Sequence, residues 1–417
     1  ATFEQRYATP VYSFLLYYIK LVFPHPLTHD YYYNQIPLIE FSDIKFLSSA
    51  LITLCLLGIA LNQLKRRTLI SYGILYFFIT FSVVSNLLFS VGIIMNERFL
   101  FMPSLGFCIL LSAGFHYLYA TKRLNTYALS FLAGLVVFLY SVKTIARNTT
   151  WKDNLTLFLT DVKYSPNSAK VNTSAGGDLL AASDNEADSI KRRQMIEESI
   201  SYLSKALSIY PDNHNTLLLM GNAQYKYYKS ADAALPFYKK IIELKKGGEF
   251  LAYQNAANLL YGEKRYEEAV RYYLGAASLQ PNNKDMLVRL SESYAECGKP
   301  DSALLYAVHT LQLHPEDPVV LHLIGKIYGK YLNRLAEAIP YLQKAVQLKP
   351  AEVAYLEDLG VAYGLSGNYD AAIETMNKIL SINPNYKPAY INLSISYRNK
   401  GDIKTAEALM NKAMQLP

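Results

Sequence analysis

Long apolar runs dominate the first third of the chain, and regularly spaced small and apolar residues dominate the rest. Four of the runs contain no charged residue: about 46–64, 69–95, 99–121 and 124–142. Each can cross the hydrocarbon layer of a membrane, since about 20 apolar helical residues suffice for that. We therefore predict four membrane-spanning helices. A shorter apolar stretch at 11–23 either ends a membrane helix or lies at the membrane interface.

Clustered cations predict how these helices are oriented. The short loops after the first and third runs hold Lys65, Arg66, Arg67, Lys122 and Arg123. Short loops rich in Lys and Arg stay cytoplasmic. Residues 25–44, the turn at Glu97 and Arg98, and the chain after about residue 147 should then lie outside the cytoplasm. This predicts an integral protein of a bacterial inner membrane or the endoplasmic reticulum, with its second half in the periplasm or lumen.

From about residue 151 the pattern becomes a repeat. Prolines recur at intervals of 34, 35 and 34 residues, at Pro281, Pro315, Pro350 and Pro384. A small residue recurs with them, at Ala233, Ala269, Ala303, Ala338, Ala372 and Ala406. This is the signature of tetratricopeptide repeats (TPRs), which pack two antiparallel helices per 34 residues with small residues at the close approach. We predict about seven repeats, with full units from about 212 and a longer, degenerate unit at about 168–211.

The two patterns together predict an all-α protein with two domains. Polytopic transmembrane helices occupy residues 1–150, and a TPR α-solenoid occupies residues 151–417. The first helices of TPRs line a concave groove that commonly receives a peptide or protein partner. Side chains between the signature positions are candidates for this contact, with plain solvated surface as the alternative: Asn222, Asn258, Arg289, Lys326 and Asn392.

Charge excludes nucleic acid as a partner. The chain has a formal net charge of +7, and almost all of the excess lies in the first 150 residues, much of it in the two cytoplasmic loops. A nucleic-acid-binding protein needs its basic excess on a soluble face. Three cysteines are too few for a disulfide framework.

The segment at 24–37 combines three prolines with three consecutive tyrosines, which excludes regular helix. One interpretation is a tyrosine belt among the lipid headgroups. The alternative is an extracytoplasmic site lined by His25, His29, Asp30 and the three tyrosines Tyr31, Tyr32 and Tyr33. These residues lack a third convergent ligand with helical spacing, so we predict no metal site.

Any chemistry should lie at the extracytoplasmic membrane surface, because residues 150–417 contain no phosphate loop, nucleophile elbow or metal-binding motif. Arginine can hold a phosphate with two hydrogen bonds, and a nearby carboxylate can act as a base or orient it. Glu97, Arg98 and Arg147 therefore suit an enzyme that uses a lipid-linked phosphosugar. The alternative is a structural Glu97–Arg98 pair that closes a helix turn.

One motif resembles a known family. The run Glu97-Arg98-Phe99-Leu100-Phe101-Met102-Pro103-Ser104-Leu105-Gly106-Phe107-Cys108 is similar to the Glu-Arg-x-Leu-Tyr-x-Pro-Ser-x-Gly-Phe signature of the transmembrane-plus-TPR protein O-mannosyltransferases. Phe101 stands where that family often has Tyr. Two further stretches are similar to it, around Arg147-Asn148-x-x-Trp151 and around Phe23-Pro24-x-x-Leu27-x-x-Asp30-Tyr31.

The resemblance implies a GT-C-type membrane fold, a polyprenyl-phosphate sugar donor and transfer to proteins outside the cytoplasm. The family's catalytic acidic residues lie upstream of the matched region, so only Glu97 and Arg98 carry over, as donor-lipid or site-organising residues. We expect the C-terminal part of such an enzyme, from a bacterial relative, with further residues before Ala1. The alternative is a non-catalytic, membrane-anchored TPR scaffold within a larger envelope or lumenal complex.

Overall fold

The computed structural model describes residues 2–416, and every regular element in that range is helical. The chain forms two compact units, Ala1–Lys229 and Ser230–Pro417. The all-α fold class is confirmed, and the domain division near residue 150 stays a prediction. The helices of the first unit are α1 (Phe3–Val22), α2 (Ile44–Leu64), α3 (Leu69–Ser82), α4 (Pro103–Ala120), α5 (Thr126–Asn148), α6 (Asn154–Tyr164), α7 (Ala169–Ala182), α8 (Ser189–Ile209) and α9 (His214–Tyr228).

Three helices within residues 2–416 are long and apolar enough to cross a membrane. They are α2, α4, and α5 with its short 3₁₀ extension to Trp151. Most of their side chains are exposed, as expected of helices that face lipid. They correspond to three of the four predicted runs.

The remaining run, 69–95, differs from the prediction because α3 ends at Ser82. Asn86 holds the irregular chain that follows: its Oδ1 accepts from Val91 N at 2.9 Å, and its Nδ2 donates to Ile93 O at 2.8 Å. Met95 is buried in an aromatic cluster with Tyr17 and Phe81. These contacts satisfy backbone groups of the segment that no helix satisfies.

Helices α3 and α4 cross at two glycines. A Cβ atom on Gly106 would lie 2.6 Å from the carbonyl oxygen of Gly73 and 2.9 Å from the backbone nitrogen of Phe77. Small residues allow this close backbone approach between membrane helices. The crossing holds α4 and the preceding turn at Glu97 against the rest of the unit.

The second unit consists of paired helices: α10 (Ala231–Leu244), α11 (Phe250–Gly262), α12 (Tyr266–Leu279), α13 (Lys284–Glu296), α14 (Pro300–Leu313), α15 (Pro318–Lys326), α16 (Leu335–Leu348), α17 (Val353–Leu365), α18 (Tyr369–Ile382), α19 (Lys387–Asn399) and α20 (Ile403–Gln415). A π-helical turn, Ile327–Tyr331, continues α15.

Small residues lie where the paired helices meet, as the repeat pattern predicts. The fully buried ones are Ala269, Ala303, Ala338, Ala372 and Ala406, each at the fourth position of its helix. In α10 that position is Ala234, which is buried, and the predicted Ala233 is only half-buried. The predicted register is therefore wrong by one residue there.

Candidate functional site

The 23–43 loop, between α1 and α2, is fastened to the N-terminus of α7. The first turn of a helix has backbone N–H groups without helical partners. Ala169 N donates to Tyr33 O at 3.1 Å, and Lys170 N donates to Tyr32 O at 2.9 Å. The Ser168 hydroxyl also donates to Tyr32 O. The loop carbonyls thus complete the cap of a repeat helix.

Asp161, in α6, is the centre of a cluster of polar side chains that contacts the 23–43 loop. Its fully buried carboxylate accepts from both terminal nitrogens of Arg147, at 2.6 and 2.9 Å, and from the backbone N–H of His29 at 2.6 Å. Burial alone would raise the pKa of Asp161, but hydrogen bonds from His29 and Arg147 outweigh it and lower the pKa to about 2. Asp161 is therefore ionised near neutral pH and holds the loop to the end of α5.

The His29 side chain has one bonded and one unbonded nitrogen. Nδ1 lies 3.0 Å from Asp161 Oδ2, and an ionised carboxylate requires Nδ1 to be the donor. The ring packs against Phe158, with 4.7 Å between ring centroids. Nε2 is buried and has no hydrogen-bond partner within residues 2–416. This nitrogen is free to accept a hydrogen bond.

Glu97 lies on the other side of the loop, in a 3₁₀ turn at Glu97–Leu100. Its Oε1 accepts from the Tyr31 hydroxyl at 2.6 Å and from Thr28 N at 2.9 Å. Burial raises the pKa of Glu97 above its ordinary value, although these two hydrogen bonds oppose the shift. Arg98 is exposed and lies over Phe99, and it forms no ion pair with Glu97 in the described chain. The turn is thus closed by Tyr31 and Thr28 rather than by a Glu97–Arg98 pair.

The other predicted residues lie along the same loop. Asp30 is buried and accepts from Lys170 Nζ and from Tyr32 N, both at 2.6 Å. His25 lies at the edge of the loop, where its Nδ1 is 2.9 Å from Lys143 Nζ. The structure therefore brings His25, His29, Asp30, Glu97 and Arg147 into one network of loop contacts and leaves Arg98 at the surface.

Tyr31, one of the tyrosines of the predicted site, belongs to this network through its hydrogen bond to Glu97. The sequence does not single out four other members of the network: Thr28, Lys143, Asp161 and Lys170. Asp161 interrupts no apolar run and stands in an ordinary amphipathic helix, so nothing local distinguishes it from a solvated carboxylate. The Arg147…Asp161 spacing of 14 residues is too long for one helix face. Within residues 2–416, no group of three or more His, Cys, Asp or Glu side chains is arranged to hold a metal ion.

A cleft of about 620 Å³ opens between α1, α4 and α5. Its apolar lining consists of Leu21, Phe107, Cys108, Leu111, Val136, Val137 and Ile145, and its polar lining of Lys20, Ser104, Tyr140, Ser141 and Thr144. An apolar cavity of about 240 Å³ shares Leu21 and Phe107 with it. Lys20 Nζ donates to Pro26 O, so the cleft reaches the 23–43 loop.

The predicted groove residues lie on first helices of the repeats. Asn258 accepts from the Tyr273 hydroxyl at 2.8 Å, and Arg289 pairs with Glu292 at 2.9 Å. Lys326 ends α15, and Asn392 is half-buried in α19. Asn222 is half-buried in α9 of the first unit.

The apolar helices and the repeats define a membrane protein that carries TPRs. Tetratricopeptide repeat models match residues 330–387, 251–283 and 388–417. A model described as plant specific mitochondrial import receptor subunit TOM20 matches residues 160–240.

The relatives point to a particular kind of TPR membrane protein. The chain is 27% identical to Protein O-mannosyl-transferase TMTC3 of Homo sapiens over 99% of its own length and 45% of the relative. It is 26% identical to TMTC1 of Homo sapiens, over 97% of this chain and 61% of the relative. The resemblance to the TMTC O-mannosyl-transferases is thus confirmed over nearly the whole chain, which spans about half the length of these relatives. The bacterial origin stays a prediction.

Two solved structures match about two fifths of the chain each. A crystal structure of MamA is 25% identical, with a TM-score of 0.36, and covers 40% of this chain and 90% of its own. YrrB, described as a TPR protein with an unusual peptide-binding site, is 24% identical, with a TM-score of 0.36, and covers 43% of this chain and 91% of its own.

Proposed function

We propose that this chain is part of a membrane-bound protein O-glycosyltransferase that takes its sugar from a polyprenyl-phosphate donor. The repeats hold the acceptor polypeptide, and the 23–43 loop joins them to the membrane helices. Similarity to O-mannosyl-transferases over nearly the whole chain supports this proposal. The repeats lie outside the cytoplasm, as the cationic loops predict.

The observation that carries the proposal is the cleft between α1, α4 and α5. Its apolar walls suit a hydrocarbon chain, and Lys20 stands at its polar end. Lys20 is the one charged residue among the described residues that line the cleft, so its polar end favours an anion. A polyprenyl phosphate has this combination of a long apolar chain and one anionic group.

The predicted site residues have distinct roles in this proposal. Arg98 is exposed beside the loop and can hold a phosphate oxygen of the donor. Asp30, His29 and Arg147 act as positioning residues, because their polar groups fasten the loop. His25 positions Lys143. Glu97 carries a raised pKa next to the loop, and the catalytic base itself is not assigned to any residue of this chain.

Photo-crosslinking in lipid nanodiscs tests the proposal. A polyprenyl-phosphate sugar with a photoreactive group on its chain should label residues of the cleft, such as Phe107, Leu111 and Val137. Lys20→Met should reduce labelling about tenfold, since a charge-assisted contact is typically worth 1.5–3 kcal/mol. Lys122→Met, in the predicted cytoplasmic loop, is the matched control. Labelling that is spread evenly over the membrane helices, or is unchanged in Lys20→Met, would overturn the assignment of the cleft.

One observation favours a second function, a non-catalytic TPR scaffold anchored in the membrane. The polar groups of Asp161, Arg147 and Asp30 form hydrogen bonds within the protein, as expected of residues with a purely structural role. Transfer of a radiolabelled sugar to protein, measured with the protein purified from its native membrane, separates the two. A scaffold should bind partners stably and give no transfer above the background without protein.

A further inference from the structure

The repeat at 316–350 is one residue longer than its neighbours, and the extra residue lies in its first helix. In each of these repeats the turn between the two helices contains one residue in the left-handed region, two positions before the second helix begins. This residue is Gly298, Gly367 or Gly401 in the neighbouring repeats and Asn333 in the long repeat. The turn is therefore unchanged. The first helix is extended instead, from Pro318 to Tyr331.

The helix accommodates the extra residue as a π turn at Ile327–Tyr331. Leu332 N donates to Ile327 O at 3.1 Å, which is the five-residue spacing of a π-helix. Such turns are rare and occur frequently at functional sites. Gly329 lies in this turn, and a Cβ atom there would meet only the Ala338 side chain, at 3.5 Å.

A cavity of about 420 Å³ adjoins the π turn, between α15 and α17. The π turn and Lys326 form one wall, and α17 forms the other with Val361 and Leu365. Leu365 is 67% exposed and Val361 is 36% exposed, although both are apolar. An apolar group from a partner would remove this surface from water.

The charge of the cavity is positive. Lys326 and Lys330 line it, and Asp358 is its only lining carboxylate. Asp358 Oδ2 lies 2.7 Å from His322 Nε2, and the His322 ring stacks on Tyr355 at 4.4 Å, so this carboxylate already has a partner in His322.

The two lysines differ in their partners. Lys330 Nζ lies 3.7 Å from Glu296 Oε1 and 3.0 Å from the Tyr331 hydroxyl. Lys326 has no ion-pair partner in the described part of the chain. It is half-buried and faces a cavity, so an incoming carboxylate would find an ammonium group that no other side chain neutralises.

We propose that this cavity binds an acidic side chain of a polypeptide, with the carboxylate at Lys326 and a neighbouring apolar side chain against Val361 and Leu365. The proposal rests on the proposed function only in that the repeats hold a polypeptide. The inference adds that one side chain of that polypeptide binds in this cavity and that this side chain is acidic. It would hold equally for an acceptor and for a scaffold partner.

Three soluble decapeptides with a neutral dye test this inference on the full chain in nanodiscs. They share a Gly-Ser background and carry Leu-Glu-Leu, Leu-Gln-Leu or Leu-Lys-Leu at the centre. Fluorescence anisotropy should give an affinity for the Glu peptide about tenfold above that for the Gln peptide, the factor that one charge-assisted hydrogen bond supplies. Lys326→Gln should abolish the difference, and Lys326→Glu should shift the preference to the Lys peptide. Lys349→Gln, an exposed lysine outside the cavity, should retain the wild-type order.

The outcomes separate the two proposals. Equal affinity for the three peptides, or a Glu preference that persists in Lys326→Gln, would overturn the acidic anchor while leaving polypeptide binding by the repeats intact. Absence of binding by any peptide would overturn the anchor too, and would leave donor crosslinking in the membrane cleft as a separate result. Lys326→Glu protects against a false result from misfolding, since a misfolded cavity cannot gain affinity for the Lys peptide.

Discussion

Arg147 donates both of its terminal N–H groups to the carboxylate of Asp161, at 2.6 and 2.9 Å, and the two side chains are 12% and 0% exposed. The pair joins the end of the last membrane helix to the first helix of the repeat region. His29 donates to the same carboxylate from the 23–43 loop. One buried anion thus connects α5, α6 and the 23–43 loop.

Asp161→Asn should destabilise the first unit strongly. The variant leaves the Arg147 guanidinium buried without its anion, and breaking a buried ion pair on one side typically costs about 3–5 kcal/mol. Thermal unfolding of the detergent-solubilised chain measures the effect.

The single variant Arg147→Met and the double variant Asp161→Asn with Arg147→Met complete the comparison for this pair. Removing both charges together leaves no unpaired ion, so the double variant should be more stable than Asp161→Asn alone. Additive losses in the two single variants and the double variant would show that the two residues do not interact.

The stability of the chain should fall between about pH 4 and pH 2 because of Asp161. Its pKa of about 2 in the folded state lies below the ordinary value of 3.8, so its contribution is present above pH 3.8 and is lost as the pH falls through 2. A shift of this size corresponds to about 2 kcal/mol. The difference in unfolding midpoint between wild type and Asp161→Asn should shrink over this interval. A difference that stays constant with pH would contradict the assignment.

Glu97→Gln should be more stable than Glu97→Ala. Burial disfavours the charged form of Glu97, and the Gln side chain oxygen can still accept from Tyr31 and Thr28. Glu97→Gln should therefore unfold at neutral pH no more easily than wild type. Glu97→Ala leaves two buried donors without an acceptor and should cost roughly 1–3 kcal/mol. Equal stabilities of the two variants would show that these hydrogen bonds are not formed.

Gly106→Ala should weaken the packing of α3 against α4. The new Cβ would lie within 3 Å of backbone atoms of α3, which cannot move aside as a side chain can, and overpacking of this kind typically costs about 1–3 kcal/mol. Gly114→Ala, in the same helix, is the control because a Cβ there meets nothing within 4 Å. A lower unfolding temperature for Gly106→Ala alone is the expected result, and equal losses in both would point to a general effect of alanine in α4.

The repeats were predictable because their signals are local and periodic. Proline spacing and the buried alanines gave the helix pairs, and the 35-residue interval between Pro315 and Pro350 marked the long repeat. The interval alone did not place the extra residue, since a turn absorbs an insertion as readily as a helix does. Only the backbone shows that it became the π turn at Ile327–Tyr331.

In the membrane half, the helices whose bounds depend on composition were predicted, and the end of α3, which depends on hydrogen bonding, was predicted wrongly. The run 69–95 contains no charged residue, so its hydropathy does not indicate where the helix ends. The helix ends at Ser82, and the Asn86 side chain bonds to the irregular chain that follows. The site follows the same rule. Glu97 and Arg147 stood out because they interrupt apolar runs, whereas Asp161 becomes distinctive only through partners 14 and 132 residues away.

The attachment of the 23–43 loop to α7 sets an order of events during synthesis. His29 and Asp161 are 132 residues apart, and Asp30 and Lys170 are 140 residues apart. At translation rates of about 5–20 residues per second, the loop waits roughly 7 to 30 seconds for these partners. During that interval the Asp30 carboxylate lacks Lys170, and the carbonyls of Tyr32 and Tyr33 lack the N–H groups of α7. The nascent loop can therefore close only once the first repeat helices have left the ribosome, so its closure reports that this part of the chain has been made.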